Sequence, residues 1–167
     1  MNKTIYIISL FISLLLLQVF VLNNIKFLGF INPYLYVSFV IFYPLRKERI
    51  SFLTLSFLLG LSIDFFSDSG GINAFSLLLI AYIRLFFIRI IFKKTEQDYL
   101  LFNLHEEPFG KVFNYVITLI VIHHFILFSL ANFSTQNFSD VLINTLYSSI
   151  FTSVLFFLGT YITRNKK

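Results

Sequence analysis

Residues 44–94 read PLRKERISFLTLSFLLGLSIDFFSDSGGINAFSLLLIAYIRLFFIRIIFKK. Two apolar stretches, Ile50–Phe66 and Gly71–Phe92, are joined by the polar turn Ser67-Asp68-Ser69-Gly70-Gly71. They are bracketed by the basic runs Arg46-Lys47-Glu48-Arg49 and Lys93-Lys94. Each stretch approaches the ~20 residues that cross ~30 Å of hydrocarbon as a helix. Cations on both outer flanks and none in the turn predict a helical hairpin that enters a membrane and returns, its basic side in the cytoplasm.

The same alternation extends over the whole chain. Further apolar stretches run over Thr4–Leu22, Pro33–Leu45 (or from Leu28), Val112–Ala131 and Val141–Thr163. Ten of the 13 Lys and Arg residues fall at every second gap: Lys3, then Arg46, Lys47 and Arg49, then Lys93, Lys94 and Lys111, then Arg164, Lys166 and Lys167. Lys26 alone lies on the other side. The prediction is an all-α membrane protein, one bundle of about six transmembrane helices over residues 1–167, with both termini cytoplasmic. The second stretch is the weak one, because about 13 helical residues span only about 20 Å. It needs Leu28–Asn32 to join it, or else a re-entrant path. Asn32-Pro33 should begin its helix, with Pro in the first turn, and Tyr43-Pro44 should end it.

Composition agrees: 57% of residues are hydrophobic and 13% charged, with mean hydropathy +0.84. The longest loop, Lys93 to Lys111, is too short to hold an independent core, so function resides within the bilayer or at its faces. The net charge of +5 is explained by the inside bias of the cations and points to anionic lipid, not nucleic acid. No cysteine is present, which excludes disulfides and thiol chemistry. The first stretch lacks a small-x-small cleavage site and is expected to stay attached. The 24 Phe and nine Tyr are spread over every stretch and serve as packing and lipid-facing mass.

Polar groups inside the apolar stretches carry the information, since each is costly there. Ser56, Gly60 and Asp64 recur at i, i+4 and i+8, a narrow stripe along which another helix can approach closely. On the next helix Arg84 follows Asn73 by eleven residues, about 20° around the axis, with Ser76 near the same face. Arg84 should lie about 20 Å from the turn and Asp64 about 5 Å, so a direct pair would need the arginine to snorkel. The alternatives for Arg84 are inner-leaflet phosphates, or a carbonyl or hydroxyl of the sixth helix, where Asn144, Ser148 and Thr152 form another stripe. Interhelical hydrogen bonding is the plain reading of them all.

The adjacent His123-His124 pair diverges by about 100° on a helix, whereas chelation wants i, i+3 or i, i+4 spacing, and His105 sits in a distant loop. No metal is expected. One histidine should make a buried hydrogen bond while the other sits toward the interface, with proton relay the functional alternative. No GxSxG, HExxH, Walker loop or GxGxxG occurs, and no two carboxylates lie on one helix at catalytic spacing. Asp98 and Glu106-Glu107 belong to a solvated loop. The chain is therefore expected to be non-enzymatic and free of cofactors.

The order Ile31-Asn32-Pro33-Tyr34-Leu35-Tyr36, Tyr43-Pro44, Gly60-x3-Asp64-Phe65-Phe66-Ser67-Asp68, Gly71-Ile72-Asn73-Ala74 and Ala81-Tyr82-Ile83-Arg84 resembles the MreD family of rod-shape-determining membrane proteins. His123-His124-Phe125 and Phe133-Ser134 look like its Bacteroidota version. It departs at Asn73-Ala74, where a His before small residues would be expected. The resemblance implies an inner-membrane scaffold of the cell-elongation machinery that makes peptidoglycan. Its implied partner is an MreC-like protein, and through it MreB, RodA and the elongation-specific penicillin-binding protein. It further implies a fold similar to the substrate-binding subunits of energy-coupling-factor transporters; the candidate partner interface is the Ser56-Gly60-Asp64 stripe, whose small residues permit close approach, or the short Asp68–Gly71 rim, which leaves room for a partner. That fold supplies the alternative, a small-solute or vitamin uptake subunit. Such subunits carry an Ala-x3-Ala type patch on the first helix, whereas Thr4–Leu22 has no Ala and offers only Ser9-x3-Ser13.

Overall fold

The computed structural model describes residues 3–25, 31–45, 49–95, 98, 102–132 and 138–164. The expectations placed on Lys26, Leu28, Arg46, Lys47, Lys166 and Lys167, and on Phe133-Ser134, lie outside these residues, as do the side chains of Lys3, His105 and Arg164. Five helices are long and apolar enough to cross a membrane, which makes the chain an all-helical multi-pass membrane protein. They are α1 (Lys3–Phe20), α3 (Ile50–Ser67), α4 (Ile72–Phe92), α5 (Phe109–Ala131) and α6 (Phe138–Arg164), with the five-residue α2 (Ser38–Phe42) between the first two.

Backbone chemistry sets the tight α3–α4 turn. Asp68 takes a left-handed conformation with φ 51°, which a short polar side chain tolerates. Gly70 and Gly71 follow at φ 67° and 94°, where any Cβ would be strained. The roles of Asp68 and Gly71 are thus to reverse the chain within four residues. Pro108, with φ −55°, leads into α5 without sacrificing a helical hydrogen bond.

Contacts give the direction of each helix. Phe92 and Tyr115 meet at 5.4 Å between ring centroids, joining the end of α4 to the start of α5, and Phe113 stacks on Phe157, joining the start of α5 to the end of α6. Consecutive long helices from α3 onward are therefore antiparallel. α1 is parallel to α3: its first turns share a cavity with Ser51 and Leu55, and Asn23 just beyond it donates to the Ser67 hydroxyl at 2.8 Å. The start of α1 and the end of α6 consequently lie on one face of the bundle, with Arg49, Lys93, Lys94 and Lys111. We refer to the basic face and, opposite it, the turn face.

Because α1 and α3 are parallel, the chain between them must return through the bundle. Residues 31–45 do so, correcting the single helix expected over Pro33–Leu45 and the helix start expected at Pro33. Ile31–Tyr34 are non-helical, Leu35–Val37 form one 3₁₀ turn, α2 follows, and Tyr43 leaves it at φ −60°, ψ 130°. Extended residues advance about 3.3 Å each against about 1.5 Å in a helix, so this mixed path covers about 30 Å with 15 residues. Neither helical residues 28–30 nor a re-entrant path is needed to supply the length. Irregular backbone at membrane depth survives only where protein surrounds it. Here it is surrounded: Ile31, Pro33 and Tyr43 of the irregular parts are buried, and Tyr36, Val37, Phe39 and Val40 between them are wholly so. Phe75, Tyr82, Phe86 and Ile90 form instead the exposed face of α4.

Candidate functional site

Asp64, Asn73, Arg84, His124 and Thr152, all singled out in the sequence, hold the broken second segment or the helix ends beside it. Three hydrogen-bonded groups do this, from the turn face to the basic face.

At the turn face Asp64 accepts four hydrogen bonds. Its Oδ1 receives the Ser69 hydroxyl (2.6 Å), the Asn73 backbone N–H (3.0 Å) and Asn73 Nδ2 (2.9 Å), and its Oδ2 receives the Ala74 N–H (2.7 Å). The two backbone donors belong to the first turn of α4, where N–H groups lack helical partners and the helix dipole is positive. The counter-charge of Asp64 is therefore a helix terminus. Tyr36 of the second segment donates to Asn73 Oδ1 at 2.7 Å, so Asn73 links carboxylate and tyrosine. Gly60 makes this approach possible: a Cβ there would lie 2.5 Å from Ala74 Cα. Ser56 is fully buried, its hydroxyl donating to Phe52 O at 2.8 Å. The stripe Ser56-Gly60-Asp64 thus faces the interior of its own chain. This corrects its reading as a partner interface.

In the middle, His123 and His124 are both completely buried, correcting the placement of one at the interface. Adjacent positions can both face inward because α5 is flanked by α4, α6 and the second segment. His123 packs on the Tyr36 ring and His124 on the Tyr34 ring, at 5.2 and 5.4 Å between centroids. His124 Nδ1 lies 2.8 Å from Ile120 O, which can only accept, so Nδ1 carries the proton and Nε2 is an acceptor. The Thr152 hydroxyl then donates to Nε2 at 3.1 Å, while its oxygen receives the Tyr34 N–H at 3.0 Å. That N–H follows Pro33 and has no helical acceptor. His123, by contrast, has no partner for either ring nitrogen among the described residues, and the hydroxyls of Ser38, Ser76, Ser148 and Ser149 are likewise buried without partners. Replacing a buried unpaired polar group by an apolar one of similar shape is neutral or stabilising, whereas orphaning a partner costs about 1–3 kcal/mol. His123→Phe should therefore hold or raise the melting temperature in detergent, and His124→Phe should lower it.

Toward the basic face, Arg84 is 3% exposed. Nε donates to the Tyr115 hydroxyl at 3.1 Å, and Nη2 donates to Tyr43 O at 2.6 Å and Ile41 O at 3.4 Å. The Phe52 ring lies 5.2 Å from its guanidinium carbon. These carbonyls are orphaned where α2 breaks ahead of Pro44, and a cation at a helix C-terminus also answers the dipole. Arg84 and Asp64 do not pair. The expected sixth-helix partner is replaced by the second segment and α5.

Some participants escaped the sequence reading. Gln18 donates to Pro33 O at 3.0 Å and to Asn23 Oδ1 at 2.9 Å, and Tyr115 receives Arg84. Gln18 is the sole amide in Thr4–Leu22, a signal that could have found it. Outside the membrane, Lys94 Nζ is 2.9 Å from Glu107 Oε1, and that hydrogen bond holds the lysine pKa above its ordinary value. The Thr95 N–H and hydroxyl bond to Asp98 and lower its pKa. Among the described residues no three His, Asp or Glu converge as metal ligands. The chain matches no model of a known protein family, no curated protein and no solved structure.

Proposed function

We propose that this protein is an MreD-like scaffold subunit of a bacterial cell-elongation complex, a non-enzymatic inner-membrane protein that needs no cofactor. Its basic face is the cytoplasmic one, by the distribution of cations, so both termini are cytoplasmic. It acts by binding an MreC-like protein and, through it, MreB, RodA and the elongation-specific penicillin-binding protein. One observation carries the reading. Among the residues behind the resemblance, Tyr34, Tyr36, Tyr43, Asp64, Asn73, Arg84, His123 and His124 gather around one buried segment, while Phe65, Phe66 and Tyr82 face outward. Polar groups committed to rigidity suit a protein whose product is a fixed surface for partners. With the Ser56-Gly60-Asp64 stripe turned inward, the rim at Asp68–Gly71 remains as the partner surface, and Asp68 and Gly70 are exposed there.

Depletion tests this. Elongated cells should become spheres while vitamin uptake is unchanged, and an MreC-like protein should co-purify from detergent without added small molecule. Rod-shaped depleted cells with impaired uptake would replace the scaffold by the transporter reading.

A further inference from the structure

A small cavity opens beside Arg84, between the start of α3 and the middle of α4. We propose that it binds a phosphate group, supplied by an anionic lipid headgroup in the leaflet at the basic face. This goes beyond the scaffold reading and does not depend on it.

The cavity measures about 60 Å³, and the charged residues lining it are, among the described residues, Arg84 at its buried end and the exposed Arg49 at the α3 terminus. Among the described residues no carboxylate pairs with either. Every partner of Arg84 is uncharged: a phenol hydroxyl, two carbonyls and an aromatic face. Those hydrogen bonds use Nε and Nη2, so both N–H groups of Nη1 have no acceptor among the described residues. A buried cation whose contacts are only dipoles is costly, and the two N–H groups of Nη1 are left to donate to an anion's oxygens. The volume suits a group of phosphate size. Geometry selects the source. Besides the arginines, Tyr82, Leu53 and Leu85 line the cavity, and Tyr82 is 67% exposed on the lipid-facing side of α4. The opening therefore faces lipid beside the first turn of α3, whose Arg49, Phe52 and Leu53 place it near the basic end, within reach of headgroups for a snorkelling arginine.

The test uses the full chain purified in detergent, with thermal unfolding followed against added phosphatidylglycerol, phosphatidylcholine or inorganic phosphate. Phosphatidylglycerol should stabilise saturably and phosphatidylcholine should not, its quaternary ammonium being repelled by the two arginines. Arg49→Gln removes a cation whose side chain bonds to none of the described residues. It should leave the lipid-free melting temperature unchanged and raise the half-saturating phosphatidylglycerol concentration about tenfold, as expected for one charge-assisted hydrogen bond. Lys94→Gln, a basic-face cation outside the cavity, should leave that concentration unchanged. Inorganic phosphate matching phosphatidylglycerol at equal concentration would overturn the lipid source and assign the site to free phosphate. Equal responses to both lipids, a wild-type response from Arg49→Gln, or an equal loss in Lys94→Gln would each overturn the site.

Discussion

Asp64→Leu and Arg84→Leu should each destabilise the folded bundle by about 3 kcal/mol or more, and the double substitution should cost their sum. Removing the Asp64 carboxylate strips the acceptor from two N–H groups in the first turn of α4, from Asn73 Nδ2 and from the Ser69 hydroxyl. Removing Arg84 orphans the Tyr43 and Ile41 carbonyls at the break in the second segment. Each loss leaves buried polar groups where no water replaces the missing partner, at about 1–3 kcal/mol per group. Additivity follows from distance: Asn73 and Arg84 are eleven residues apart on one helix, about 16 Å, beyond the 7–10 Å over which substitutions couple. Insertion moves the other way, because a central charge costs about 2.5–3.5 kcal/mol to insert. The measurement is therefore unfolding of inserted protein, not its accumulation. Rescue of either single variant by the second would restore a direct Asp64–Arg84 pair and sink this account.

The crossings were legible because lipid imposes a length and a charge bias that residue types display directly. Ile50–Phe66 and Gly71–Phe92 emerge as helices Ile50–Ser67 and Ile72–Phe92, with the break at the Asp68–Gly71 turn. The second segment was not legible. A run of apolar residues bounded by two prolines has the same pattern whether it forms one helix or a buried, half-extended path. What decides between them is distant: the Pro33 carbonyl meets Gln18, the Tyr34 N–H meets Thr152, and the Tyr43 carbonyl meets Arg84. Likewise Asp64 and Arg84 were recognisable as inward polar groups, since each is too costly to face lipid. Their partners were hidden because most are backbone atoms, which have no residue type. His123 and His124 misled for a related reason: two neighbours about 100° apart both fit inward where the buried arc of a helix is wide, as it is here, with Val121 and Phe125 on the exposed side of α5.

Gly60→Ala should rank with the loss of Asp64, although it adds a single methyl group. The new Cβ would stand 2.5 Å from Ala74 Cα, 2.7 Å from Ala74 N and 2.7 Å from Asn73 O. All three are backbone atoms, so no rotamer change relieves the contact, and α4 must move away from α3. Overpacking costs about 1–3 kcal/mol where side chains can adjust, and the upper end or more applies where they cannot. The displaced atoms are in the same turn whose N–H groups Asp64 holds at 3.0 and 2.7 Å, so the methyl group also stretches those hydrogen bonds. Gly60→Ala and Asp64→Leu should accordingly be less than additive, in contrast to the Asp64–Arg84 pair. Gly159→Ala is the control: it lies in α6 with nothing within 4 Å of its Cβ position, and should be neutral or stabilise by about 0.5–1 kcal/mol. Chemical unfolding in micelles measures all of these. A Gly60→Ala protein as stable as the parent would mean that α3 and α4 are not closely apposed and would return the stripe to the surface as a partner interface. A large loss in Gly60→Ala means that larger residues at Gly60 act by forcing α3 and α4 apart within the chain itself.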